Sequence, residues 1–180
     1  MFGPVTLPAG AQEYDAIAIG DSVMLGAISQ LRDRGIASVD AKVSRQASTG
    51  AGLLRGHGPD LPKHVVVHLG TNGTYTIDMC RDLVRAAGNA RTVYLVNIKV
   101  PRKWERANNT VLRSCDRAFR SDRVVLLDWH ALASRNPDYL YADGVHLRPE
   151  GAHAFARMVE QAIASARASG SVRPPRSAPH

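Results

Sequence analysis

The sequence predicts a three-layer α/β/α domain built on a five-stranded parallel sheet, and three observations carry that prediction. Five short apolar runs, the clearest of them β-branched, alternate with stretches whose apolar residues recur every three or four positions. Glycine or aspartate punctuates the changeovers, at Gly20, Gly35, Gly70, Gly88 and Asp128. Composition completes the case: 180 residues at 44% hydrophobic and 22% charged suit one soluble domain that buries a core without staples.

Residues 1–13 hold two prolines and two glycines with no periodicity, and read as an arm laid over a domain that spans 14–168. The first strand is expected over about Tyr14 to Ile19, and its run ends in Gly20-Asp21-Ser22. A helix follows to Arg34, with Val23, Leu25, Ile28 and Leu31 on its apolar face and Gly35 as its stop. A second strand over Ser38 to Val43 leads through Ser44-Arg45-Gln46 into a weak helix closed by Gly56, Gly58 and Pro59. The third strand is the continuous run His64 to Leu69, ending at Gly70-Thr71-Asn72-Gly73. Asn-Gly can mark a hairpin, but helical spacing follows, with Cys80, Leu83, Val84 and Ala87 on one face and Gly88 as the stop. Strand four, Thr92 to Ile98, precedes a loop with Pro101 and Trp104 and a helix marked by Ala107, Val111, Cys115 and Ala118. Strand five, Arg123 to Leu127, gives way to an irregular stretch, and Pro149 opens the last helix, striped by Phe155, Met158, Val159 and Ile163. Residues 169–180, rich in Ser, Pro and Arg, are expected to form a disordered basic tail. Right-handed crossovers and a chain reversal beside the first strand give the flavodoxin-like order 2-1-3-4-5, in which ligands bind at the carboxyl ends of the strands.

The net charge of +7 and pI near 9.9 suit an anionic neighbour such as nucleic acid, a membrane surface or an acidic wall polymer. The basic residues are scattered and only 6% of residues are aromatic, so nucleic acid is not expected as a partner. No run reaches the ~20 apolar residues of a membrane span. Met1 to Gly10 has no signal-peptide pattern, so an export signal or anchor would lie outside this stretch. Cys80 and Cys115 sit at apolar helix positions without metal-ligand spacing; they are two buried thiols, or one disulfide if the chain is secreted. His57, His64, His68, His130 and His153 show no metal spacing either, so no metal or cofactor is expected, and these histidines are assigned local structural roles at most. A monomer is expected.

Ser22, at the junction of a buried strand and a helix, is either a helix cap alongside Asp21 or a nucleophile held where free N–H groups favour negative charge. Three loops leave the carboxyl ends of their strands and should meet at one rim: Gly20-Asp21-Ser22, Ser44-Arg45-Gln46 and Gly70-Thr71-Asn72. Before the last helix stands Asp143-Gly144-Val145-His146-Leu147. Asp and His three apart can share one side of a turn, with Asp143 on Nδ1–H of His146 and Nε2 facing Ser22.

These blocks, in this order and over residues 14–164, resemble those of the SGNH, or GDSL-like, hydrolase superfamily. The longer forms Gly20 to Gly26 and Asp143 to Gly151 look most like the extracytoplasmic SGNH domains of bacterial O-acetyltransferases, which modify peptidoglycan or another surface glycan. The resemblance implies Ser22 as nucleophile, His146 as general base and then acid, and Asp143 as the residue orienting His146. It implies an oxyanion hole made by the Ser22 N–H, a backbone N–H of the second block and the Asn72 amide. Ser44 stands where that second block ordinarily has glycine, so its N–H serves only if Ser44 adopts the required backbone conformation.

Such parts suffice for a metal-free double displacement in which an acyl group passes from an ester to Ser22 and on to water or a sugar hydroxyl. Arg45, Gln46 and Trp104 are candidate substrate contacts, against solvation for the first two and helix packing for Trp104. The partners implied are an acyl donor, a carbohydrate acceptor and a membrane acyltransferase domain or protein, with an extracytoplasmic location. The alternatives are a lipolytic esterase or thioesterase of the same fold, and a catalytically dead glycan-binding module.

Overall fold

The computed structural model describes residues 12–119 and 123–170. The expected tail falls mostly outside the described residues, as do the first 11 residues of the expected arm. Five parallel strands, β1 (Ala16–Gly20), β2 (Ser38–Ala41), β3 (His64–His68), β4 (Thr92–Val96) and β5 (Val124–Leu127), pair in the order β2-β1-β3-β4-β5, as the sequence predicts. Seven α-helices cover the sheet among the described residues: α1 (Ser22–Leu25), α2 (Ile28–Asp33), α3 (Gly50–His57), α4 (Ile77–Ala87), α5 (Glu105–Ala118), α6 (Trp129–Arg135) and α7 (Pro149–Gly170).

Alternation along the strands builds two apolar layers. Ala16, Ala18, Val66, Tyr94 and Val96 face a layer shared with Met24, Leu31, Trp129, Phe155, Val159 and Ile163. Ile17, Ile19, Val65, Val67, Val93 and Leu95 face the other, shared with Leu54, Leu83, Val84 and Leu112. In the second layer Cys80 of α4 and Cys115 of α5, both fully buried, form a disulfide with Cα atoms 6.3 Å apart. That settles which of the two readings of these cysteines holds.

Three departures from expectation have local causes. The helix expected from Val23 to Arg34 breaks at Gly26–Ala27, so Met24, Ala27 and Leu31 face the core while Leu25 and Ile28 are only half-buried. In α5 the buried face is Asn108, Asn109, Leu112 and Cys115, leaving Ala107 and Ala118 exposed, because the two asparagines bind backbone of neighbouring loops. The stretch after β5 is helical where an irregular one was expected, since the Asp128 side chain accepts from Ala131 N–H and caps α6. The last helix also continues to Gly170, two residues into the span expected as tail.

Candidate active site

β1 ends at Gly20 because nothing larger fits there: a Cβ would lie 2.5 Å from Cβ of Met24. Asp21 then takes the N-cap of α1, its Oδ1 accepting from Val23 N–H at 3.1 Å, which leaves the Ser22 hydroxyl uncommitted to capping. The capping role at this junction therefore falls to Asp21. Asp21 is fully buried, with Nδ1 of the equally buried His68 3.3 Å from Oδ1, an ion-pair contact rather than a well-directed hydrogen bond. Burial pushes the Asp21 carboxyl up, but the pull of His68, with polar contacts from His68, Thr71 and the Val23 N–H, outweighs it and holds the group below the ordinary carboxylate range.

The loop before α7 supplies the partners of Ser22. Tyr141 N–H donates to His146 O and Arg148 N–H to Tyr139 O, both at 2.9 Å, with an antiparallel bridge between Leu140 and Leu147. Gly144, at φ 68°, makes the tight reversal that only glycine adopts without strain. Asp143 Oδ1 accepts from the Val145 and His146 N–H groups at 2.9 and 3.0 Å, and Oδ2 lies 2.7 Å from His146 Nδ1. The bond from His146, aided by those two N–H groups and opposed by slight burial, keeps the Asp143 carboxyl below its usual range. An ionised Asp143 accepts Nδ1–H and presents Nε2 toward Ser22 Oγ, at 3.2 Å. Serine, histidine and aspartate thus stand in the relay a hydrolase requires.

The proposed oxyanion donors come from three loops. Neither the Ser22 N–H nor the Ser44 N–H has an intramolecular acceptor among the described residues. Ser44 is the one non-glycine residue there with a left-handed backbone, at φ 59°. Asn72 Nδ2 lies 3.4 Å from the Arg45 carbonyl, tying the third loop to the second. A cavity of about 410 Å³ is lined by Ser22, Ser44, Asn72 and His146 together with Gln46, Arg102 and Trp104.

The expected substrate contacts divide. Gln46 lines the cavity, and its Nε2 donates to Ser44 O at 3.4 Å. Trp104 lines it as well and donates Nε1–H to Thr71 O at 3.2 Å, so it also braces the Asn72 loop. Arg45 turns away: its guanidinium, 9% exposed, binds the Gly20 carbonyl and the backbone and carboxylate of Asp40, bracing the ends of β1 and β2.

Two supporting residues escaped the sequence reading. Asn108, 1% exposed, donates from Nδ2 to Gly70 O (2.9 Å) and Gly73 O (2.7 Å) and accepts at Oδ1 from Tyr75 N–H (2.8 Å), clamping the loop that carries Asn72. Asn97 does the same for the turn into α6, donating to Asp128 Oδ1 and accepting from His130 N–H, each at 2.7 Å. The only signal was the pair Asn108-Asn109 inside a helix, where asparagine is a weak helix former. Three of the remaining histidines have local partners: His64 with the Tyr94 hydroxyl, His68 with Asp21, His130 with Glu105.

Comparison with known proteins places these features in context. YrhL of Bacillus subtilis (strain 168) is 40% identical over 154 residues, covering 84% of this chain and 24% of that protein. Peptidoglycan O-acetyltransferase OatA of Listeria monocytogenes is 35% identical over 148 residues, covering 79% of this chain and 23% of that protein. The chain thus spans about a quarter of the length of these relatives. Among solved structures, the C-terminal catalytic domain of Streptococcus pneumoniae OatA superposes with a TM-score of 0.72 at 22% identity, covering 92% of this chain and 98% of that one. No protein-family model matches the chain.

Proposed function

We propose that the chain is a domain of the SGNH, or GDSL-like, hydrolase superfamily, a serine-dependent O-acyltransferase or esterase that moves an acetyl group on peptidoglycan or another surface polysaccharide, a reading supported by its likeness to peptidoglycan O-acetyltransferases. The observation that carries this reading is the relay from Asp143 through His146 to Ser22, with Oγ 3.2 Å from Nε2, opening on a cavity lined by Ser44 and Asn72.

The chemistry follows from the geometry. His146 Nε2 takes the Ser22 proton as Oγ attacks the acetyl ester carbonyl, and Asp143 stabilises the imidazolium that forms. The oxyanion accepts from the Ser22 and Ser44 N–H groups and from Asn72 Nδ2. Collapse of the intermediate expels the donor alcohol with the proton from His146, leaving acetyl on Ser22. A sugar hydroxyl or water, deprotonated by His146, then attacks that ester and regenerates Ser22.

The disulfide between Cys80 and Cys115 supports an extracytoplasmic location, since such bonds persist in oxidising compartments. No helix among the described residues is long and apolar enough to cross a membrane. A membrane acyltransferase domain or protein that delivers the acetyl group is the partner we assign. The test is incubation with a small acetyl ester, with and without oligosaccharide acceptors, followed by mass spectrometry. Acetylated sugar supports transfer, and free acetate alone supports an esterase. Intact sugar binding with neither product means an inert binding module.

A further inference from the structure

Next to the nucleophile lies a pair of titratable side chains that the acyl-transfer chemistry does not use. Asp21 precedes Ser22 in the chain, and its Oδ1 is 3.3 Å from Nδ1 of His68, with both residues 0% exposed. The backbone repeats the tie, because Asp21 N–H donates to His68 O at 3.2 Å where β1 and β3 end. The His68 ring also packs edge-on with Phe155 of α7, their centroids 5.5 Å apart and their planes at 83°. The pair therefore joins the segment that carries Ser22, the strand that leads to Asn72 and the helix that follows the His146 loop.

A carboxylate buried this deeply needs a counter-charge, and its surroundings offer few. Helix α1 is Ser22-Val23-Met24-Leu25, with no charged residue, and Glu150, His153 and Arg157 of α7 are exposed. Arg45 reaches the Gly20 carbonyl, but its guanidinium is paired with the Asp40 carboxylate. His146, across Ser22 Oγ, is paired with Asp143. His68 is left as the cation for Asp21. Burial pushes the Asp21 carboxyl up, and the attraction of His68 leads the contacts that bring it back below the ordinary range. Nε2 of His68 has no hydrogen-bond partner among the described residues, so nothing else claims the ring.

We propose that His68 is a positioning residue for acyl transfer, an imidazolium that cancels the buried charge of Asp21 beside the forming oxyanion. Asp21 has to present a hydrogen-bond acceptor, because it caps α1 through the Val23 N–H. An unpaired carboxylate there stands one residue from the Ser22 N–H, on which the oxyanion is placed, and repels the charge that develops. Paired with His68, it holds the turn without opposing the reaction. This rests on the acyl-enzyme reading of Ser22 and assigns a role to a residue that touches neither substrate nor relay.

The experiment separates charge from packing. The kcat on a small acetyl ester, the affinity for methylboronic acid, which adds to Ser22 Oγ as a tetrahedral anion, and Tm are measured on the wild type, His68→Asn, His68→Phe and the double variant Asp21→Asn/His68→Asn. His68→Asn keeps a neutral donor, His68→Phe keeps a ring against Phe155, and Asp21→Asn keeps the cap while removing the charge. Both single variants should lose on the order of tenfold in kcat and in boronate affinity, the effect of one uncompensated charge near the oxyanion, and the double variant should recover most of each. Nitrogen NMR of the wild type should show His68 as an imidazolium at neutral pH, a readout that stands even where a variant fails to fold. A neutral His68 overturns the proposal, as do losses that the second substitution leaves in place, because packing alone then explains them. A fall in Tm with kcat and boronate affinity unchanged overturns it too, since the pair then serves only stability. A wild type that neither turns over an ester nor binds boronate sinks the acyl-enzyme reading and this proposal together, whereas wild-type turnover with unaltered rates in every variant sinks this proposal alone.

Discussion

Replacing Asn108 by alanine tests how far the oxyanion hole depends on a residue that never touches substrate. Its amide makes three hydrogen bonds to backbone on both sides of Asn72, all under 3.0 Å, two of them buried and the one to Gly73 part-buried. Removing them leaves two carbonyls and one N–H without partners, which at about 1 to 1.5 kcal/mol each costs roughly 3 to 5 kcal/mol of stability. The loop from Gly70 to Tyr75 is then free to carry the Asn72 amide off the oxyanion position. The loss of kcat is bounded by that of Asn72→Ala, about 10²- to 10³-fold. Asn108→Asp keeps the acceptor for Tyr75 N–H but turns a carboxylate oxygen toward the Gly70 and Gly73 carbonyls, so it should be the less stable of the two Asn108 variants. Thermal unfolding and small-ester kinetics on Asn72→Ala, Asn108→Ala, Asn108→Asp and the double alanine variant provide the test. We expect Asn72→Ala to lose kcat but little stability, Asn108→Ala to lose both, and the double variant to be no slower than Asn72→Ala. A folded Asn108 variant with wild-type kcat would refute the clamp.

Other consequences follow from single features. Ser44→Gly relieves a left-handed conformation that costs a side-chain residue roughly 1 to 2 kcal/mol, offset by about 0.5 to 1 kcal/mol of glycine entropy. The variant should be as stable as wild type or slightly more so, with kcat retained because the donor is backbone; a large loss of kcat would implicate the hydroxyl instead. Replacing Cys80 and Cys115 by serine opens a loop of 35 residues, a cost of about 3 to 4 kcal/mol that lowers Tm by roughly 10 °C with small-ester kcat unchanged. Asp21, Asp128 and Asp143 are all held below the ordinary carboxylate range, so their stabilisation is present above a pH of about 4 and is lost as pH falls through their folded-state values. For Asp128, burial pushes up but the Asn97 amide, the Ala131 N–H and the nearby His130 and Arg113 outweigh it. Asp128→Asn should flatten the acid side of a denaturation-versus-pH curve, and a curve as steep as wild type would contradict that assignment.

What could be read in advance was what is local in sequence. The strands announced themselves as apolar runs, and Asp143 and His146 sit three apart, so their pairing needed only a turn. The order of the sheet followed from handedness, and it brought Ser22, Ser44 and Asn72 to one rim. What could not be read was how polar side chains are spent once buried. Arg45, beside the motif, looks like a substrate contact until its guanidinium is seen to brace Gly20 and Asp40. Asn108 and Asn109 lie off the expected apolar face of Ala107, Val111, Cys115 and Ala118, yet both are buried, with their amides completing loops. The break at Gly26–Ala27 likewise depends on Met24 and Ala27 filling the core ahead of Leu25 and Ile28.

The central claim is that acetyl passes through Ser22, and the most direct test is intact-mass analysis of the protein during turnover of a small acetyl ester. The account predicts one added acetyl group, located on Ser22 by peptide mapping, discharged by water or a sugar acceptor, and absent in Ser22→Ala together with turnover. Undiminished turnover by Ser22→Ala, or an acetyl group on another side chain that turns over at the catalytic rate, would contradict it.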